Sequence, residues 1–172
     1  MPFRRALLVI FAAFCVALLG WLATRAFSEP RAIDIGESVP AFTLRDLKGQ
    51  PTTLPPAGST VLINYWASWC HPCREELPLL SQFAQQQGTD GVQVLAIALD
   101  DRTRVEEFLH ARGGDLTVLL ENPGPSDSSV RLGNSRSVLP FSVLIGHDGR
   151  LLKRRYGAFR DAGELEAWAK SP

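Results

Sequence analysis

The sequence predicts an α/β domain, a mixed central sheet flanked by helices, preceded by one transmembrane helix. Three observations predict it. Short apolar runs bounded by turn residues alternate with stretches of helical periodicity over most of the 172 residues. A Cys-x-x-Cys pair, Cys70 and Cys73, stands where the first of these runs after residue 59 gives way to a helix. An uncharged block, Ala6 to Ala23, is set apart from all that follows.

That block, ALLVIFAAFCVALLGWLA, has 18 residues. As a helix it spans about 27 Å, close to the hydrocarbon thickness of a bilayer. Arg4 and Arg5 precede it, which keeps the amino end in the cytoplasm and puts the remainder outside. The run is longer than the apolar region of a cleaved signal, and Thr24-Arg25-Ala26 is a poor small-x-small site. Arg4-Arg5 before Leu7 and Leu8 suggests a twin-arginine address, but the run is strongly apolar for one. A lipid-modified Cys15 would need a small residue where Phe14 stands. Residues 1–27 therefore read as an uncleaved anchor, with cleavage and secretion as the alternative. Cys15 reads as a small apolar filler. Residues 28–40, mixed and without periodicity, read as a linker, and 41–172 as the domain.

Within the domain, Ala41–Leu44 and Thr52–Leu54 flank the turn-rich Asp46–Gln50, which predicts a small hairpin. Thr60–Ala67, Val92–Leu99, Leu116–Leu120 and Phe141–Ile145 read as strands covered on both faces. Leu151–Tyr156 follows Asp148-Gly149, a hairpin turn signal, and makes a fifth. Leu77, Leu80, Phe83 and Ala84 recur at helical spacing. Val105, Phe108, Leu109 and Arg112 outline a second helix, stopped by Gly113-Gly114, and Leu165, Trp168 and Ala169 a terminal one. Asn122–Ser129 reads as a surface loop leading into a short turn near Val130–Leu132.

Composition excludes several classes. Apolar residues at 45% and charged ones at 21% are ordinary for a folded chain, so wholesale disorder is out. The 18 basic and 18 acidic residues cancel, and the part after residue 27 carries a formal −3. Nucleic acid is not expected as a partner, since phosphate contacts need a basic face. Three cysteines are too few for a disulfide scaffold.

The chemistry lies in Trp69-Cys70-His71-Pro72-Cys73. A cysteine at a helix N-terminus meets unsatisfied amides and the positive end of the helix dipole. Both favour thiolate over thiol and make the sulfur a nucleophile near neutral pH. The second sulfur is close enough to resolve a mixed disulfide formed by the first. Pro72 suits a first turn, where its missing amide hydrogen is spare. Structural zinc fails on ligand count, because the third cysteine is in the apolar block and neither His110 nor His147 has ligand spacing. A purely structural bridge over so short a loop adds little stability. A redox pair remains.

Val61–Pro78, VLINYWASWCHPCREELP, resembles the active-site segment of thioredoxin-fold proteins. More narrowly, the chain resembles the membrane-anchored TlpA/ResA/CcmG (DsbE) group of extracytoplasmic thiol–disulfide oxidoreductases over about residues 36–170. The resemblance implies a thioredoxin-like fold with an N-terminal hairpin and a helix–strand insertion. It implies a sheet ordered insert strand, 92–99, 60–66, 141–145, 151–156, the last two antiparallel to the middle pair. Cys70 matches the exposed attacking cysteine, Cys73 the buried resolving one and Trp69 the flanking aromatic. Pro140 matches a cis-proline facing the disulfide, with the Leu139 backbone offered to an extended substrate. Pro78 matches a proline that kinks the first helix. Asn64 stands where cytoplasmic thioredoxins have a buried aspartate.

Glu76 lies on the helix face of Cys73. It is a candidate to tune the pair, or else a solvated first-turn acid. His71 is a spectator or a charge that lowers the Cys70 pKa. Around Pro140 the chain departs from the group's commonest pattern, in the loop that lines the substrate groove. No cofactor is expected, because the cysteines carry the electrons. Expected partners are protein thiol and disulfide substrates, a membrane thiol–disulfide electron donor and the membrane itself. The resemblance favours a reductant, for example in cytochrome c or copper-site maturation. The alternative is a copper-binding module using the same cysteines.

Overall fold

The computed structural model describes residues 10–21, 31–88, 91–112 and 116–170. The chain falls into two units, Met1–Arg31 and Ala32–Pro172. In the first, residues 10–21 form helix α1. The expected span over 6–23 thus lies partly outside the described residues. Among the described residues no helix is long and apolar enough to cross a membrane.

The second unit runs β1 (Phe42–Asp46), β2 (Pro51–Leu54), β3 (Val61–Trp66), α2 (His71–Gln87), β4 (Gln93–Leu99), α3 (Arg102–Arg112), β5 (Thr117–Glu121), α4 (Ser128–Arg131), β6 (Phe141–Ile145), β7 (Leu151–Tyr156) and α5 (Ala162–Lys170). Its seven strands form one sheet in the order β2-β1-β5-β4-β3-β6-β7. The expected five-strand order is present, with the hairpin added beyond the insert strand through β1 and β5.

One direction differs from expectation. β6 runs antiparallel to β3, but β7 runs antiparallel to β6 and so points the same way as β3. The turn at Asp148-Gly149 reverses the chain again, as a hairpin must. Gly149 supplies the positive φ of +77° that this turn needs.

β3 sits at the centre because all six of its residues are apolar or paired, and all are buried. Its side chains alternate between faces. Leu62 and Trp66 join the cluster that holds both cysteines, Leu77, Leu80 and Phe83. Val61, Ile63 and Tyr65 join the opposite cluster with Phe141, Val143 and Leu151. Each fully buried aliphatic side chain contributes roughly 1.5–3 kcal/mol. α2 presents Leu77, Leu80 and Phe83 inward and carries Pro78 inside it.

Two stretches are more integral than their sequence suggests. Of the segment read as linker, Ile33, Gly36 and Val39 donate backbone hydrogen bonds to Arg131, Leu151 and Gly149 at 2.8, 2.7 and 2.9 Å. In the segment read as a surface loop, Asp127, Ser128 and Ser129 are buried. The cause is polar pairing across the sheet: the Ser128 hydroxyl meets Tyr65 Oη at 2.8 Å and donates to Glu121. Asp127 caps α4 through the Val130 amide.

Candidate active site

β3 ends at Trp66, and Ala67–Trp69 turn the chain into α2. The Cys70 amide donates to the Ala67 carbonyl at 3.1 Å, closing that turn. Cys70 is the N-cap residue of α2, with extended backbone and no side-chain cap on the helix. The first-turn amides are therefore left to whatever charge the Cys70 sulfur carries. Cys70 and Cys73 are joined in a disulfide, their Cα atoms 5.3 Å apart. Cys73 is 1% exposed, as expected; Cys70, expected to be exposed, is also buried in this oxidised form, at 5%. Trp69 is exposed, at 65%, as are His71 and Pro72.

Glu76 is not a solvated acid. It is 1% exposed, its Oε1 accepting from the Phe159 amide at 2.8 Å and its Oε2 from Asn64 Nδ2 at 3.0 Å. Burial pushes its carboxyl above the ordinary range, only partly opposed by these two donors and Arg155. Asn64 thus occupies the central-strand position and passes a hydrogen bond to the acid on the helix. It also donates to Ser142 Oγ at 3.0 Å. Glu75, by contrast, is exposed and pairs with exposed His71 at 3.3 Å.

The Leu139–Pro140 bond is cis, as the resemblance implied. Phe141 stands opposite Tyr65, so Pro140 lies at the sheet end from which the Cys70 turn departs. Trp69 and Leu139 line one groove of about 550 Å³ with Asp100, Arg104, Pro123 and Ser137.

Asp100 was not singled out from sequence. It follows directly on β4, is buried, and accepts from the Ser68 amide at 2.8 Å and the Ser68 hydroxyl at 2.5 Å. Burial raises its carboxyl, but Ser68, the Asp101 amide and Arg104 together hold it below the ordinary range. It ties the turn before Cys70 to the neighbouring strand. The only sequence signal is an acid pair, Asp100-Asp101, at the end of an apolar strand.

No group of three or more His, Cys, Asp or Glu side chains could hold a metal among the described residues. The copper alternative finds no third donor there.

A thioredoxin-like fold with a Cys-x-x-Cys disulfide at the start of the helix after its central strand defines a thiol–disulfide oxidoreductase. The Redoxin family model matches residues 34–168, and the chain belongs to that family. It is 28% identical over 151 residues to the thiol–disulfide oxidoreductase ResA of Geobacillus kaustophilus, covering 86% of this chain and 82% of that one. It is 25% identical over 160 residues to the sporulation thiol–disulfide oxidoreductase A of Bacillus subtilis, covering 90% and 92%. A solved structure from Chlorobium tepidum, described as a DsbE-type thiol:disulfide interchange protein, superposes with a TM-score of 0.67 at 31% identity, covering 78% of this chain and 94% of that chain.

Proposed function

We propose that this oxidoreductase acts outside the cytoplasmic membrane as a reductant of protein disulfides, held there by residues 1–27. The observation that carries the redox reading is the Cys70–Cys73 disulfide at the α2 N-cap, with buried Glu76 one helical step beyond. In the reduced protein the Cys70 thiolate, favoured by the helix N-terminus, attacks one sulfur of the substrate disulfide. The Cys70–substrate bond forms, the substrate bond breaks, and the second substrate sulfur leaves as a thiol. The Cys73 thiolate then attacks Cys70 Sγ and releases the first substrate sulfur. Two electrons pass to the substrate, and the intramolecular disulfide remains. A membrane thiol–disulfide donor returns the electrons.

Trp69, Leu139 and Pro140 form the substrate surface, with Leu139 offering its backbone to an extended chain. Glu76 tunes the pair through its charge. The reductant role and the setting in cytochrome c or copper-site maturation rest on the resemblance of the active-site segment to the membrane-anchored TlpA/ResA/CcmG (DsbE) group. The test is the reduction potential of the Cys70–Cys73 pair against that of glutathione. A potential well below glutathione's supports the reductant reading; a strongly oxidising one, like that of a disulfide donor, overturns it.

A further inference from the structure

The loop that ends in Pro140 is exposed at Ser135, Arg136, Ser137 and Val138, yet one buried side chain holds it. Asn134 is 0% exposed. Its Oδ1 accepts from the Val138 amide at 2.9 Å, and its Nδ2 donates to the Val138 carbonyl at 3.0 Å. The side-chain amide therefore pairs with Val138 as a neighbouring strand would. Its own backbone carbonyl accepts from Ser137 at 2.9 Å, and Ser137 takes the left-handed φ of +50°. Asn134 is anchored in turn by its amide on the Ser129 carbonyl at 2.8 Å and by Nδ2 near Ser129 Oγ at 3.4 Å.

Two consequences follow for Leu139. The Val138 N–H is used up and its carbonyl is already bonded to Asn134, so Val138 has no free donor to complete a donor–acceptor pair with an incoming chain. The Val138–Leu139 peptide is trans, so its carbonyl and amide hydrogen point in opposite directions. With the Val138 carbonyl drawn inward to Asn134, the Leu139 N–H points away from that interior cluster. The Leu139 N–H and carbonyl make no hydrogen bond among the described residues.

We infer that Asn134 is a positioning residue that fixes the substrate's register: it withholds Val138 and presents Leu139 alone for pairing beside the disulfide. This rests on the reading above that Leu139 pairs with substrate. The residues it sorts for are extended, backbone-exposed protein segments, as distinct from small disulfides that have no backbone to pair.

The test uses three disulfides that release the same chromophore, thionitrobenzoate, on attack by the reduced full-length protein. They are a capped linear peptide whose central cysteine carries thionitrobenzoate, its analogue with esters replacing the two amides flanking that cysteine, and the symmetric aryl disulfide. Esters remove the amide donors and weaken the carbonyl acceptors. The parent should react about fivefold faster with the peptide than with its ester analogue, the size of one net hydrogen bond. In Asn134→Ala that preference should disappear, and the peptide-to-aryl rate ratio should fall about as far. Asn134→Asp keeps the volume and the Val138 N–H acceptor but loses the donor to the Val138 carbonyl. It should behave likewise, and it carries the test if the alanine variant does not fold. A parent that ignores the esters overturns the inference, as does a variant that keeps the full preference or loses peptide and aryl rates in equal proportion. A parent inert toward the aryl disulfide overturns the exchange reading itself.

Discussion

Asn64 Nδ2, in the middle of the central strand, donates to Glu76 Oε2 on the first active-site helix at 3.0 Å. The pair divides one job between two residues: the strand supplies the hydrogen bond, and the helix supplies the titratable group. A charge at Glu76 disfavours thiolate nearby. Glu76→Gln should therefore lower the thiol pKa values and raise the reduction potential, favouring the reduced form. A one-unit fall in a thiol pKa is worth about 1.4 kcal/mol, or roughly 30 mV for a two-electron couple. Thiolate absorbance against pH checks it, with Glu75→Gln as control. If both variants titrate like the parent, Glu76 does not tune the pair.

The same residue gives a pH dependence of stability. Its folded pKa lies above the ordinary 4.5, so above that value the folded state holds the proton longer than the unfolded one. Stability contributed by the protonated form is present below 4.5 and is lost as pH rises through the folded value. Glu76→Gln cannot titrate, so its stability relative to the parent should climb with pH across that window. Asn64 Oδ1, which has no partner among the described residues, can accept from the new amide if Asn64 rotates. Urea unfolding at a series of pH values measures the difference, and a difference that is flat with pH refutes this account.

Asp100 has the opposite sign. Its folded pKa is below the ordinary 3.8, so its contribution is present above that value and is lost as pH falls through the folded one. Asp100→Asn should cost on the order of 1–3 kcal/mol near neutral pH, since the Ser68 amide and hydroxyl lose a charged acceptor. The deficit should shrink on acidification. Because the turn before Cys70 loosens, exchange rates should fall as well. Parallel acid titrations of parent and variant stability, followed by circular dichroism, decide it.

Cys70→Ser should abolish exchange, while Cys73→Ser should accumulate mixed disulfides with substrate. The basis is the N-cap position of Cys70. Non-reducing gels of both variants check this; trapping by Cys70→Ser alone would reverse the assignment of attacker and resolver.

Deleting residues 1–27 should leave a soluble protein with the same reduction potential, because Ala32–Pro172 forms its own compact unit. Loss of activity or aggregation of the truncated chain would tie the first helix to the fold.

The strands and the motif were legible because they are local. Val61–Trp66 is a short apolar run, Asp148-Gly149 is a turn signal, and the cysteines stand at the junction of strand and helix. What was not legible depends on partners far apart in sequence. Nothing in Asn122–Ser129 announces that Ser128 meets Tyr65, 63 residues away. Glu76 remained ambiguous because its burial comes from Phe159, 83 residues on. The direction of β7 is local too: the Asp148-Gly149 hairpin makes it antiparallel to β6 and so parallel to β3, against the expected antiparallel placement. Asn134 gave no signal, since a buried amide and a loop asparagine look alike in sequence.

The two edges of the sheet bear on how the protein meets unfolded chains. β2 is only four residues long and opens with Pro51, which has no amide to donate. β7 carries Lys153 and Arg155, whose side chains fold back onto the Trp168 carbonyl and Glu164. Both edges thus discourage strand addition, the usual route by which extended polypeptides stick to a sheet. On the reading proposed above, a chain searching this surface for backbone partners would find them at Leu139, in the groove it shares with Trp69. Under the proposed function, an extended client would then be held only where contact leads to disulfide exchange and release.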